Sequence, residues 1–441
     1  MTDASTSGIM SPELLKVAER ARREPHGQFH SLAHLIDVSA LRRAYERQRA
    51  TAAAGTDGVT KAQYGQDLES NLEDLRGRLR SMRWRHQPLR RVHIPKEGQR
   101  GKTRPIGIAC FEDKVVQGAL SELLSAVYEQ DFRDCSHGFR PKRSAHDALR
   151  ALDRAGMRGV ANWVLDADVD SFFDSVSWTQ LRAILQQRIP DGSITRLVGK
   201  CMHAGVLDGE EFSTPECGTP QGSALSPLLG NLFLHHVLDQ WFEDEIKPCL
   251  RGKAVLIRYA DDFVIGFERQ DDALRVQEVL AKRLGKYGLR LQPDKTRLIP
   301  FARPSQGQTS GKGPGSFDLL GFTCYWRRAR TGRWVLAYKT MRARWSRAVK
   351  AVYAWCRYNR HLSIPEQHAA LTKRLQGHYN YFGVNGNVDS LIRLVVHATR
   401  AWFKWLNRRS QRSRLNWERF ADLLRDFPLP PPRRVVQLWS G

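Results

Sequence analysis

The sequence predicts a mixed α+β fold, and three observations predict it. In VLIRYADDFVIGFE (residues 255–268), Val255, Ile257 and Tyr259, then Phe263, Ile265 and Phe267, recur at a period of two. That is the pattern of two strands joined by a tight reversal, with Ala260, Asp261 and Asp262 at the bend. Short apolar runs of this kind recur up to about residue 335, separated by longer stretches of helical periodicity. Beyond residue 340 the periodicity is helical alone, and the composition shifts with it. From Arg327 to the C-terminus there are 24 Lys+Arg against 5 Asp+Glu, so this last quarter carries +19 of the chain's net +24. Eight of the twelve tryptophans also lie beyond residue 321, which marks a separate C-terminal domain.

The elements follow in order. Residues 1–30 read as a polar tail and a short helix, and 39–85 as helices interrupted by the turn AAAGTDGVT. LRRVHIPK (89–96) is a strand, followed by a basic Gly-rich turn and RPIGI. Helical pattern covers 112–130, and DCSHGFRPKRSAHDAL is a loop running into a helix. NWVLDADVDSFFDSV (162–176) brings a strand into an acidic turn. CGTPQGSALSPLLGNLFLHHVLDQWF (217–242) starts as a Gly/Pro loop and ends as an apolar helix. After the 255–268 hairpin come a helix at 271–287 and the segment GLRLQPDKTRLIP. RPSQGQTSGKGPGS (303–316) is a loop by composition; it is no domain boundary, because FDLLGFTCYW behind it reads as more sheet. In the 341–360 helix, Trp345, Ala348, Val352 and Trp355 share one face, with Arg347, Lys350 and Arg357 opposite. A second helical stretch, RAWFKWLNRRSQRSR (400–414), repeats the basic excess. Together they favour a phosphate-binding surface.

Composition bounds the function. Lys+Arg 70 against Asp+Glu 46 points to a polyanionic partner. An anionic membrane surface would attract the same charge, but no apolar run approaches the ~20 residues of a spanning helix and no lipidation motif is present. The N-terminus lacks the apolar stretch of a signal peptide, so the expected location is the cytoplasm. Seven scattered cysteines without a CxxC pair argue against a disulfide framework or a zinc module.

Two adjacent aspartates inside an apolar hairpin repel each other unless cations are present, and divalent ions favour oxygen ligands. The doublet Asp271–Asp272, in ERQDDALRVQ, serves as a control and reads as ordinary first-turn helix acids. A two-metal phosphoryl-transfer site needs carboxylates from separate strands, so that two cations sit roughly 3.5–4 Å apart. Asp166, Asp168 and Asp170 alternate on the second candidate strand, and spacing alone does not choose among them.

YADD (259–262), DVDSFFDSV (168–176), GTPQGSALSPLLGNLFL (218–234), IPKEGQRGKTRPIGI (94–108), YGLRLQPDKT (287–296) and LLGF (319–322) stand in the order of reverse transcriptase blocks. AAGTDGV, SHGFRPKRSAHDAL, GHYNYF (377–382) and LNRRSQRSRLNWERF (406–420) narrow the likeness. Over about residues 40–430 the chain resembles bacterial group II intron-encoded reverse transcriptase/maturases of the endonuclease-lacking type.

That resemblance implies a right-hand polymerase: a palm built on a split βαβ antiparallel sheet, with an all-helical thumb/maturase domain. It divides the chain into a tail and short helix (1–38), an N-terminal extension with the start of the fingers (39–95), fingers and palm (96–335), thumb/maturase (340–425) and a C-terminal tail (426–441). It also implies residue roles. Asp168 and Asp261 match the catalytic aspartates that ligate two Mg²⁺ ions; the Val169 carbonyl completes one site, and Asp262 has a supporting part. Lys96 and Arg104 match triphosphate contacts, Gln221 a residue beside the incoming sugar and base, and Lys295 a lysine near the triphosphate that can protonate pyrophosphate. Phe173 matches the ring that excludes a ribose 2′-OH, with Phe172 as core, although the sequence permits the two to exchange.

The implied reaction is RNA-templated DNA synthesis from a DNA primer 3′-OH with dNTPs, together with binding of group II intron RNA in splicing and mobility. Two departures stand out. Asp170 and Ser171 occupy positions where relatives commonly carry a basic or small residue and a glycine. The chain also ends after the thumb-like region without a Cys/His-rich endonuclease, so either second-strand cleavage is expected to come from elsewhere or insertion to use existing single-stranded ends. Rival readings are a reverse transcriptase domesticated for defence, CRISPR adaptation or repair, and an RNA-binding splicing maturase with little polymerase activity.

Overall fold

A computed structural model of the chain describes residues 10–95, 101, 103–305, 314–409, 415–433 and 435–438. The strands are β1 (Leu89–Pro95), β2 (Thr103–Ile108), β3 (Trp163–Asp168), β4 (Val206–Asp208), β5 (Glu211–Ser213), β6 (Ala254–Tyr259), β7 (Asp262–Phe267), β8 (Arg297–Pro300), β9 (Phe317–Leu319), β10 (Phe322–Arg328) and β11 (Trp334–Thr340). They form three sheets, ordered β2-β1-β4-β5, β6-β7-β3-β8 and β11-β10-β9. Pairing is antiparallel except where β1 meets β4 in parallel. The fold is thus mixed helix and sheet with predominantly antiparallel sheets, as the sequence pattern predicts.

The central sheet positions the chemistry. Along the chain it reads strand, helices, hairpin, helix, strand. Consequently β3 and β6 run in the same direction with β7 inserted between them, and helices supply the long crossovers that this order requires. The structure buries both faces of the strands at 255–268. Leu165, Ala167, Phe263, Ile265 and Phe267 face a core shared with the Phe111–Asp131, Ser226–Leu234 and Gln270–Lys286 helices. Val164, Ile257, Val264 and Ile299 face a second core, built from the Ala145–Met157 helix, β9–β11 and the C-terminal helices. Phe263, Ile265 and Phe267 are each at 0% exposure, and burial stabilises by about 2 kcal/mol per side chain of this size. The hairpin tip therefore projects from a rigid, doubly covered base.

Beyond 340 the chain forms the helices Arg342–Tyr358, Ile364–Phe382, Val388–Leu406 and Trp417–Asp426. Ser363 starts the second with a reciprocal cap: its Oγ accepts from Glu366 N, and Glu366 Oε2 accepts from Ser363 N at 2.9 Å. On the first helix Val352 is buried and Trp345, Ala348 and Trp355 are partly so, while Lys350 and Arg357 are exposed. The irregular C-terminal segment is pinned, since Val435 N donates to Gly383 O at 2.7 Å and Leu438 N to Asn385 Oδ1 at 2.8 Å. Over 177–216 the sequence pattern assigns nothing; there the chain forms the helices Trp178–Arg188 and Gly192–Met202 and the β4–β5 hairpin. Of the 303–316 loop, residues 306–313 lie outside the described residues.

Candidate active site

β3 and the β6–β7 hairpin meet at one end of the central sheet. Their register pairs Asp168 with Asp262, and Tyr259 with the same Asp262 across the hairpin. Directly paired residues point to one side of a sheet, so Asp168, Asp262 and Tyr259 face the same way. The turn consists of Ala260 and Asp261 alone; Asp262 is already the first residue of β7 rather than part of the bend. Ala260 takes a left-handed φ of 58° to close this two-residue reversal.

Register also answers which of the alternating acids reaches the tip. Asp166 lies opposite Val264, and its carboxyl accepts from Arg297 Nη2 on β8 at 3.3 Å. Asp170 lies past the end of β3, exposed, with its N–H bonded to Arg290 O. Asp168 alone stands level with the hairpin acids. Ser171, where a glycine is usual, sits at a left-handed φ of 46°, a conformation that glycine adopts without strain.

The electrostatics at the hairpin are those of acids whose burial and mutual repulsion outweigh the positive charge nearby. Burial raises the Asp261 pKa, the Asp168 charge raises it further, and Arg104 and Arg258 oppose the rise. Asp262 is pushed up to about 7, by crowding first and then by Asp166 and Asp261. The residue as a whole is nonetheless exposed at the start of β7. Both hold if the group lies on the floor of a cleft, reachable by water yet surrounded by protein. Asp166 rises to about 6, chiefly through burial.

Among the described residues, no three His, Cys, Asp or Glu side chains converge into a group able to hold a metal ion unaided. The candidate donors are hard oxygens: the Asp168 carboxylate at the end of β3, the Asp261 carboxylate in the hairpin turn, and the main-chain carbonyl of Val169 next to Asp168. Such a set fits small divalent cations that complete their shell with water and substrate oxygens. Lys295 Nζ meanwhile donates to Asp168 Oδ2, placing one positive charge on the carboxylate that a metal would need.

Other predicted residues gather around this point. The 290–295 segment runs alongside 168–170, with Gln292 N bonded to Asp168 O at 2.8 Å and a bridge between Val169 and Leu291, which delivers Lys295. Arg104, exposed on β2, is within electrostatic reach of Asp261. Burial separates the two phenylalanines, Phe172 being in the core at 2% exposure and Phe173 half-buried. Gln221 holds the 218–222 loop to its surroundings: its Nε2 donates to both Asp174 oxygens at 3.2 and 3.3 Å, and its carbonyl accepts from Gly107 N at 2.8 Å. Gly218 is required there, because its φ is 89° and a Cβ would stand 2.9 Å from Phe173 O. Lys96 lies outside the described residues.

Two supporting networks escape the sequence reading. Arg258, at 0% exposure, donates to Asp239 at 2.8 and 2.5 Å, to Asn231 Oδ1 at 2.9 Å, to Ser136 Oγ at 2.8 Å and to Ala260 O at 3.0 Å. It locks the hairpin tip from beneath. A lone arginine in an otherwise apolar strand was the available signal, since a buried charge requires a partner. Gln117 is 1% exposed. Its Oε1 accepts from Ser223 Oγ and Ala224 N, and its Nε2 contacts His86 Nε2 at 2.8 Å, bracing the loop that carries Gln221. Nothing in the local sequence marks it.

Comparison with known proteins adds independent observations. Residues 94–324 match the family described as reverse transcriptase (RNA-dependent DNA polymerase). The chain is 32% identical over 329 residues to protein YkfC of Escherichia coli (strain K12), covering 66% of this chain and 84% of that protein. It is 34% identical over 194 residues to the group II intron-encoded protein LtrA of Lactococcus lactis subsp. cremoris, covering 44% of this chain but 32% of that one. It is 29% identical over 182 residues to nuclear intron maturase 2, mitochondrial, of Arabidopsis thaliana, where 32% of this chain aligns with 24% of the relative.

Proposed function

The chain belongs to the reverse transcriptase (RNA-dependent DNA polymerase) family, and on that footing we propose that Asp168 and Asp261 form a two-Mg²⁺ site that extends a primer 3′-OH with dNTPs along an RNA template. The observation that carries this reading is the register of Asp168 opposite Asp262, beside a two-residue turn that presents Asp261. In this reading the central sheet is the palm, β1 and β2 belong to the fingers, and the helices from Arg342 to Asp426 form the thumb.

Bound magnesium would lower the pKa of the 3′-OH and neutralise charge gathering on the phosphorus. Asp168, Asp261 and the Val169 carbonyl supply its protein ligands, and Asp262 adds negative potential without being a primary ligand. Lys295, released from Asp168 once that carboxylate is engaged, turns to the triphosphate and can donate a proton to the leaving pyrophosphate. Arg104 and Lys96 bind phosphate oxygens. Phe173 and Gln221, joined through the 173–174 turn, bound the sugar of the incoming nucleotide. The relation to intron proteins and the +19 C-terminal quarter support a second role, gripping structured intron RNA during splicing and mobility. Replacing Asp261 and Asp262 with alanine is expected to abolish cDNA synthesis while RNA binding persists; undiminished synthesis would remove the proposal.

A further inference from the structure

A 3′-OH that reacts at Asp261 must belong to a nucleotide resting on whatever lies beside the hairpin tip. What lies there is the SHGFRP loop. Gly138 is pressed so closely on the hairpin that a Cβ would stand 2.3 Å from Ala260 N. The next residue, Phe139, is 53% exposed, and its ring lies 6.3 Å from the Tyr259 ring, tilted at 42°. Its φ is 55°, the left-handed region that penalises every residue with a Cβ.

The loop is rigid around this exposed ring. Asn231 Nδ2 donates to Gly138 O at 2.7 Å. Arg140, 7% exposed, donates to Arg133 O and Ser136 O at 2.8 and 3.0 Å and pairs with Glu129 at 3.0 Å. A phenylalanine held in strained backbone on a fixed mount, with its ring left in solvent, does little for the core. Backbone strain of this kind, kept under an exposed aromatic ring, points to a contact with something outside the chain. Tyr259 shares a sheet face with Asp168 and Asp262, so the Phe139–Tyr259 pair opens on the side of the carboxylates. A nucleobase has an apolar face for such a ring and needs no particular identity to stack on it.

We propose that Phe139, with Tyr259, forms the aromatic seat for the 3′-terminal nucleotide of the primer. The seat rests on the polymerase reading above and adds a residue that grips the reacting strand rather than the incoming nucleotide.

The test uses the full chain with Mg²⁺ and an RNA template–DNA primer duplex. Phe139→Ala is expected to weaken primer–template affinity about tenfold, with the KM for dNTP within about twofold of the parent; Phe139→Tyr should restore affinity and Phe139→Leu should not. A primer lacking only its 3′-terminal base should bind the parent as weakly as the normal primer binds Phe139→Ala, with no further loss in the variant. Phe139→Gly, which relieves the backbone strain, should unfold no earlier than the parent while still losing primer affinity. Equal affinity of Phe139→Ala and the parent, an abasic penalty of the same size in both, or an affinity loss that tracks a lowered unfolding midpoint would each overturn the seat. Failure of the parent itself to incorporate dNTPs would instead strike the polymerase reading, which separates the two outcomes.

Discussion

Asp261–Asp262 and Asp271–Asp272 are the same two letters ten positions apart, and the fold treats them in opposite ways. Asp271, at the exposed start of a helix, is paired by Arg269 at 3.0 and 3.2 Å, which lowers its pKa. Asp272 is more than the first-turn acid its sequence context suggests. It is 1% exposed and accepts from Gly252 N at 2.8 Å and Arg251 N at 3.3 Å, with Arg275 closing on it. The second doublet is thus answered charge for charge. The first keeps raised pKa values, because burial, mutual repulsion and Asp166 outweigh Arg104 and Arg258. The two doublets thus differ in how far the fold offsets their charge, not in their sequence.

The sharpest way to break this contrast is activity. Asp261→Ala should cut primer extension about a thousandfold, whereas Asp271→Ala should leave it unchanged in the same assay; comparable losses would erase the distinction. Stability separates the regions next. Arg258→Ala strands the buried Asp239 carboxylate and should cost about 3–5 kcal/mol in denaturant unfolding. Asp272→Ala strips the 251–252 turn of its acceptor and should cost about 2–3 kcal/mol.

pH dependence separates the doublets further, because they carry opposite signs. Asp262 has a folded pKa near 7, above its unfolded value, so its contribution to stability is full below the unfolded pKa and is lost as pH rises towards 7. Asp271 has a lowered folded pKa, so its small contribution is present above the unfolded value and is lost as pH falls through the folded one. Melting profiles between pH 4 and 8 should therefore flatten on the neutral side for Asp262→Asn and barely change, on the acid side, for Asp271→Asn. Millimolar Mg²⁺ should raise the midpoint of the parent and not that of Asp168→Asn; an equal rise in both would place the cation elsewhere.

Much of this was legible before any coordinates. Strands β1, β2, β3, β6 and β7 and the helix from Arg342 stand where periodicity and turn residues put them, because those signals are local; the helix read over 400–414 instead ends at Leu406, and residues 410–414 lie outside the described residues. What covers the strands was not legible: a second core closes over β6 and β7, and one strand's pattern holds no record of what packs on it. The same limit hid Gln117 and gave Arg258 no partner, because both act through residues remote in sequence. Phe172 and Phe173 were interchangeable as letters and became distinct only when one packed beside Phe233, with ring centres 6.4 Å apart.

What the amino-acid order determined by itself is the inventory: which segments become strands and helices, where the positive charge collects, and which short acidic stretches are candidates for chemistry. Only the tertiary structure decided that Asp168, rather than Asp166 or Asp170, stands level with the hairpin and that Lys295 reaches it. The physical reason is register. A one-residue slip of β3 on β7 would turn its side chains to the opposite face, and that alignment is set by two cores assembled from segments far apart along the chain.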